Sequence, residues 1–183
     1  MLKKIQSDVN NCEQCEVGRR KNKKIDYKLP FDLKHADSKV MFIGICPGKR
    51  WVKLEEEGKN PRPVRRQDFI NLLKKTGIDT ESFYGTNIVK CVCTNLNGKN
   101  RNPIVSEILN CSRFLQKEID VIKPKLIVTI GRIPGECFGI QKFGTIVENN
   151  ELKCKIFPLR HYSNQRNGRK ELLTQIETMK AHY

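Results

Sequence analysis

The chain has 183 residues, which is enough for one compact domain with a buried core. Its 35 Lys and Arg residues outnumber 20 Asp and Glu residues, so the formal net charge is +15. This excess is unusual for an enzyme of small anionic or neutral metabolites and favours a nucleic-acid partner. A merely solvated charged surface is the competing interpretation, but the basic residues concentrate in particular loops, which favours the partner.

Targeting signals are missing from the sequence as it stands. Residues 1–10 contain no apolar core of a signal peptide, and no later stretch approaches the roughly 20 apolar residues of a membrane span. We therefore expect an intracellular monomer, in cytoplasm, nucleoid or nucleus, with no membrane partner. In a reducing compartment the eight cysteines are expected to be ligands, reactive thiols or buried apolar residues rather than disulfides.

The first third of the chain predicts a helix, a strand and a long loop. Residues 1–17 read as a short helix carrying Cys12 and Cys15, a C-x2-C pair that can place two thiolates on one metal or cluster. The apolar run 39–44 predicts a buried parallel strand that ends in a tight turn at 45–48. Residues 52–64 form a loop long enough to be functional.

Further elements follow in alternation. A helix around Phe69 ends at Gly77, a strand near 84–89 carries Asn87, and Pro103 opens a helix that extends to residue 122. A strand at 125–131, two more at 143–147 and 152–157, and a closing helix at 170–181 complete the chain. This order predicts a single α/β domain over residues 1–183: a three-layer α/β/α sandwich with a central, mainly parallel, four-stranded sheet.

Five motifs together resemble the uracil-DNA glycosylase superfamily, and within it the iron–sulfur-containing family 4 and 5 branch. They are the turn G-I-C-P-G at 44–48, T-N-I-V-K-C at 86–91, N-R-N-P at 100–103 leading to Glu107 and Cys111, K-P-K at 123–125 with I-G-R at 130–132, and the late His161. The resemblance implies a DNA repair glycosylase that flips uracil, or a related deaminated base, out of single- or double-stranded DNA and hydrolyses its N-glycosidic bond.

The resemblance also implies a 4Fe-4S cluster held by Cys12, Cys15, Cys91 and Cys111. Two cysteines three residues apart and two more 20 residues apart suit a four-cysteine site. Zinc satisfies the same four thiolates. Cys93 is an alternative to Cys91, which is preferred because it follows the family's spacing. A cluster so placed would tie the N-terminal segment to the rest of the domain.

The resemblance assigns the chemistry to two side chains. The amide of Asn87 can donate to one uracil edge atom and accept from the neighbouring N–H, and His161 would stabilise negative charge on the departing base. The substrate site further includes the turn residues Gly44, Ile45 and Cys46, with Trp51 as a substitute for the family's uracil-stacking Phe. The residues expected to contact DNA are Lys90, Lys99, Arg101, Tyr162 and Ser163.

Two motifs depart from the family's pattern. Ile45 and Cys46 stand where the commoner branch has a water-positioning carboxylate, which predicts slower chemistry or a base from Glu55, Glu56, Glu57 or Asp68. Tyr162 stands where the family has Pro after the late His. These departures keep two alternatives open: a catalytically silent DNA-binding module on the same scaffold, and a zinc-stabilised RNA-binding protein.

Overall fold

The computed structural model describes residues 1–19, 37–48, 64–80, 82–162 and 165–183. The helices in these ranges are α1 (Leu2–Asn10), α2 (Glu16–Arg19), α3 (Val64–Lys75), α4 (Val105–Ile122), α5 (Arg132–Glu136) and α6 (Gln165–Lys180). The strands are β1 (Val40–Gly44), β2 (Tyr84–Asn87), β3 (Leu126–Ile130), β4 (Val147–Asn149) and β5 (Cys154–Leu159).

Within the described ranges the strands form one sheet in the order β2-β1-β3-β5-β4. The first four of these are parallel, and β4 runs antiparallel to β5. The sheet therefore has five strands in the described part of the chain, so the predicted count of four strands in the sheet is too low. The strand predicted at 143–147 also joins the sheet, as the three-residue strand β4, and it pairs by the short hairpin connection that antiparallel neighbours permit.

Helices cover both faces of this sheet, which confirms the predicted three-layer sandwich. Alternate residues of β1 divide between the two cores: Met41 and Ile43 face α1 and α4, whereas Val40 and Phe42 face α3 and α6. The central strands are apolar on both faces because both are buried, as in other parallel sheets.

Three helix boundaries differ from the prediction. The N-terminal helix stops at Asn10, and α2 begins only at Glu16, so the C-x2-C pair lies in the connection between two helices. Helix α4 starts at Val105, two residues after Pro103, and ends where Lys123 adopts a left-handed φ of 48°. The last helix begins at Gln165, five residues earlier than predicted.

The parallel strands direct their carboxyl ends to one edge of the sheet. Gly44, Asn87, Ile130 and Leu159 are the last residues of β1, β2, β3 and β5, and each leads into a loop at that edge. Functional groups of open α/β sheets gather at such an edge. Among the described residues, no helix is long and apolar enough to cross a membrane.

Candidate active site

The first half of the site is the close contact between the ends of β1 and β2. Gly44 pairs with Asn87 in the parallel register. A Cβ atom added to Gly44 would lie 2.6 Å from Oδ1 of Asn87, so the amide rests directly on the glycine backbone. A glycine is needed here because any larger residue would occupy the position of the amide oxygen.

Backbone hydrogen bonds fix the chain on the carboxyl side of Asn87. The N–H of Ile88 donates to the carbonyl of Gly44 at 2.9 Å, and the N–H of Val89 donates to the carbonyl of Ile45 at 3.0 Å. The side chain of Asn87 is only 8% exposed. Its amide is therefore held at the rim of the sheet in one defined place, with the turn at 44–46 beside it.

The second half of the site lies at the ends of β3 and β5. Gly131 has a φ of 93°, and its N–H donates to the carbonyl of Leu159 at 2.8 Å. His161 packs over this glycine: a Cβ on Gly131 would be 3.4 Å from Cβ of His161. The preceding residue, Arg160, is anchored to α6, because its N–H donates to Gln175 at 3.0 Å.

An aromatic stack supports His161 from the other side. The rings of His161 and Tyr162 are stacked with centroids 4.5 Å apart, and Tyr162 in turn stacks on Phe69 of α3 at 5.0 Å. The predicted DNA contact, Tyr162, is thus half-buried and packed against the domain. The proline that this chain lacks after the late His is replaced by a ring that orients the imidazole through packing.

The two halves lie at the same edge of the sheet. Strands β2 and β5 are separated by β1 and β3, so three inter-strand steps place the backbones at their last residues, Asn87 and Leu159, about 14 Å apart. The ends of β1 and β3, with the turn 44–46 and Gly131, lie between them, and His161 follows two residues after Leu159.

The four predicted ligand cysteines influence one another electrostatically. Burial raises the pKa of Cys91 to about 12, and negative charge on Cys111, Cys15 and Cys12 adds to the effect. Burial likewise raises the pKa of Cys111, to which the charges of Cys15 and Cys12 contribute. Arg113 donates to Sγ of Cys12 at 3.3 Å, and Asn110 donates to the carbonyl of Gln14 at 3.3 Å.

Cys93 belongs to a different contact from Cys91. Its thiol shares a hydrogen bond with Cys46 in the turn after β1, which lowers the pKa of Cys46 and raises that of Cys93. Its Sγ also donates to the carbonyl of Cys91 at 3.6 Å. Of these two neighbouring cysteines, Cys91 is the one that the thiols of Cys12, Cys15 and Cys111 affect.

The identity of a bound metal group stays a prediction. In the described ranges, no three His, Cys, Asp or Glu side chains are arranged so that they could hold one metal ion. Four cysteine thiolates are the usual ligands of both a 4Fe-4S cluster and a structural zinc ion.

Lys90 requires a correction, because its position rules out the predicted contact with DNA. Its side chain is 1% exposed, and its Nζ lies 2.6 Å from Oε2 of Glu118. The ammonium also donates to Oγ1 of Thr86 at 2.6 Å and to the carbonyl of Asn87 at 2.9 Å. A buried ammonium with three protein acceptors cannot reach a phosphate.

Arg101 is also engaged within the protein. Its guanidinium forms two parallel hydrogen bonds to the buried carboxylate of Glu107, at 2.8 and 2.6 Å, and donates to the carbonyls of Thr94 and Asn102. Hydrogen bonding to Glu107 raises the pKa of Arg101 further above its ordinary value. Arg101 therefore holds the loop to α4, and it remains 26% exposed.

The loop between these residues is a tight hairpin. Thr94 pairs with Asn100, and the N–H of Asn95 donates to the carbonyl of Lys99 at 2.9 Å. Lys99 is exposed, and its contact with DNA stays a prediction. Leu96 at the tip is 90% exposed, an unpredicted apolar side chain in a run of Asn, Gly and Lys.

Several predicted residues lie outside the described ranges. Trp51, Ser163 and the three glutamates at 55–57 belong to this group. Asp68 lies on α3 beside Phe69 and is exposed. Cys46 and Ile45 are half-buried in the turn after β1, where neither can act as a carboxylate.

Comparison with known proteins identifies the family. The model of the uracil DNA glycosylase superfamily matches residues 31–181. The type-4 uracil-DNA glycosylase of Sulfurisphaera tokodaii is 31% identical over 135 residues, which are 72% of this chain and 54% of that protein. The type-4 enzyme of Thermotoga maritima is 38% identical over 100 residues, 53% of this chain and 47% of that protein.

A type-5 relative extends the match. The type-5 uracil-DNA glycosylase of Pyrobaculum aerophilum is 28% identical over 166 residues, 79% of this chain and 70% of that protein. The chain spans about half the length of the type-4 relatives just described. The family model matches residues 31–181, well over half of the chain, and the chain therefore belongs to the uracil-DNA glycosylase superfamily.

Proposed function

We propose that this protein is a DNA repair glycosylase that hydrolyses the N-glycosidic bond of uracil, or of a related deaminated base, in DNA. The observation that carries the proposal is that Asn87 and His161 follow the carboxyl ends of strands in one parallel sheet, with Asn87 in contact with Gly44 and His161 packed against Gly131. The glycosidic carbon is inaccessible inside a duplex, so the nucleotide must first leave the stack.

Asn87 reads the base. Its amide offers a donor for a uracil carbonyl and an acceptor for the adjacent ring N–H. Cytosine presents the opposite pair at this edge and would leave both halves of the buried amide mismatched. Because an unpaired buried polar group costs free energy, the rigid placement of Asn87 against Gly44 turns this mismatch into selectivity.

His161 stabilises the departing base. As the glycosidic bond breaks, negative charge accumulates on the uracil ring, and a preorganised N–H donor lowers the energy of that state. Packing between Gly131 and Tyr162 fixes the imidazole before the reaction begins. Ile45 and Cys46 supply no base for the attacking water, so hydrolysis proceeds through a largely dissociated sugar cation that needs little activation of the water.

Cys12, Cys15, Cys91 and Cys111 would hold a 4Fe-4S cluster, which is structural and supplies no redox step to the hydrolysis. Support comes from the mutual effect of these thiols and from the donor that Arg113 offers to Cys12. Such a group would join the connection between α1 and α2 to the start of α4. Zinc on the same thiolates is the alternative, and metal analysis separates the two.

DNA is the proposed partner, bound by an intracellular monomer that acts as one domain. The net charge of +15 supports this partner. Exposed Lys99 at the hairpin is the proposed phosphate contact, because Lys90 and Arg101 are paired with carboxylates. Trp51 and Ser163 remain proposed contacts to base and backbone.

One assay tests the function. Iron-loaded protein is incubated with single- and double-stranded oligonucleotides that carry one uracil, and with matched thymine controls. We expect alkali-labile sites at uracil alone. Absence of cleavage at uracil, hypoxanthine and xanthine would contradict the proposal. DNA binding with a steep salt dependence but no abasic product would favour the catalytically silent DNA-binding module instead.

A further inference from the structure

The buried ion pair of Lys90 and Glu118 has no role in the chemistry described so far. Both side chains are almost inaccessible, at 1% and 3% exposure, and their charged atoms are 2.6 Å apart. The three protons of the ammonium are donated to Glu118, to Thr86 and to the carbonyl of Asn87. Thr86 in turn donates to the same carboxylate oxygen at 2.7 Å.

Stability alone does not account for such a pair. Removing two charges from water costs much of what their attraction returns, and apolar residues of equal volume often serve as well or better. Apolar residues, however, cannot form directional hydrogen bonds. Three hydrogen bonds from one nitrogen fix the backbone of the β2 end relative to α4, the helix that carries Glu118.

The third of these bonds acts at the recognition residue. Asn87 is the last residue of β2, and its carbonyl is held by Lys90 at 2.9 Å. The N–H groups of the next two residues are held by the turn after β1. Lys90 therefore holds the carbonyl of Asn87, while the N–H groups of the next two residues are already hydrogen-bonded. The position of this backbone determines where the side-chain amide of Asn87 lies.

The pair is also shielded from bulk water. A cavity of about 10 Å³ lies between α1, Tyr84, Lys90 and Glu118, which is room for about one water molecule. Leu2, Ile5 and Val9 of α1 cover it. In this low-dielectric setting the directed bonds of Lys90 are stronger than they would be at the surface.

We infer that Lys90 and Glu118 are positioning residues that hold Asn87 in the orientation that reads uracil. The inference rests on the proposed function and adds to it two residues that touch neither the base nor the sugar. Two roles must be distinguished, namely stabilising the fold and orienting Asn87. Substitution of one partner by alanine does not distinguish them, because it also leaves an unpaired buried charge.

A set of three variants tests it. Lys90→Met leaves Glu118 unpaired, the double variant Lys90→Met with Glu118→Leu replaces both charges by apolar groups, and Lys117→Met removes an exposed lysine one residue from Glu118 as the matched control. For each we measure the melting temperature, the single-turnover excision rate on uracil DNA, and the ¹⁵N signal of the Asn87 side-chain amide, assigned by its loss in Asn87→Asp.

We expect the double variant to recover the melting temperature that Lys90→Met loses, while its excision rate stays about 10- to 100-fold low, as for a misplaced reacting group. Its Asn87 signal should shift, and Lys117→Met should match the parent throughout. Recovery of both stability and rate in the double variant would overturn the inference, as would an unshifted Asn87 signal.

The two proposals can fail separately. If the parent excises no uracil but the Asn87 signal moves in the folded double variant, the positioning role stands and the glycosylase assignment falls. If the double variant does not fold, Glu118→Gln takes its place, because it keeps the shape and removes the charge. The same two readouts then decide: normal rate and an unshifted signal in Glu118→Gln would reject the inference.

Discussion

His161 is the residue whose replacement most directly tests the chemistry. It lies between Gly131 and the ring of Tyr162, so its imidazole is placed before a base arrives. His161→Ala should lower the single-turnover excision rate by about 100-fold, as for loss of one preorganised donor. Affinity for uncleavable DNA should hardly change. A fully active variant would mean that the leaving group is stabilised elsewhere.

Gly44 offers a second test at the same scale. A methyl group there would lie 2.6 Å from Oδ1 of Asn87, which is too close for the amide to keep its place. Gly44→Ala should therefore reduce uracil excision by about 10-fold or more, because the reading group is displaced. Gly48→Ala is the control, since a Cβ at Gly48 has no atom within 4 Å in the described part of the chain. Equal activity of the two variants would contradict a role for close contact.

Two basic residues of the hairpin before α4 have different environments, although they look alike in the sequence. Lys99 is exposed, whereas Arg101 is paired with the buried carboxylate of Glu107. Lys99→Glu should weaken binding to all DNA sequences alike and reduce the salt slope by about one, without loss of stability. Arg101→Glu should instead destabilise the fold by roughly 3 kcal/mol, because it replaces the cation beside the buried carboxylate of Glu107 with a second carboxylate.

Thermal melts and salt titrations of both variants distinguish these outcomes. If Arg101→Glu retains the parental melting temperature, the ion pair with Glu107 is not structural. If Lys99→Glu changes binding in one base context only, Lys99 reads sequence and does not contact the backbone.

At the scale of the whole molecule, the proposed cluster on the four cysteines would connect the N-terminal segment to the rest of the domain. Cys12→Ser or Cys111→Ser should lose iron and thermal stability together, because metal binding is coupled to folding. Cys137→Ser, at an exposed cysteine away from the group, should keep both. Iron and zinc contents and the melting temperature are the measurements. Full iron retention by Cys12→Ser or Cys111→Ser would reject the assignment.

Local patterns predicted the sandwich and the strand ends that carry Asn87 and His161. The apolar runs at 39–44 and 125–131 mark buried parallel strands unambiguously. The fate of Lys90 and Arg101 could not be predicted in this way. The partner of Lys90 lies 28 residues further along the chain, and no local sequence pattern indicates that this lysine is buried against a distant carboxylate.

Because Asn87 lies on β2, the fraction of molecules in which the site is formed depends on the local stability of that strand. In the described sheet β2 is an edge strand with β1 as its one neighbour, and edge elements open more readily than central ones. Each opening would withdraw the amide from the site, so the free energy of local unfolding of this strand sets the fraction of molecules ready to bind. Amide hydrogen exchange at Ile88 and Val89 would report that fraction directly. We expect the ion pair of Lys90 and Glu118 to slow this exchange.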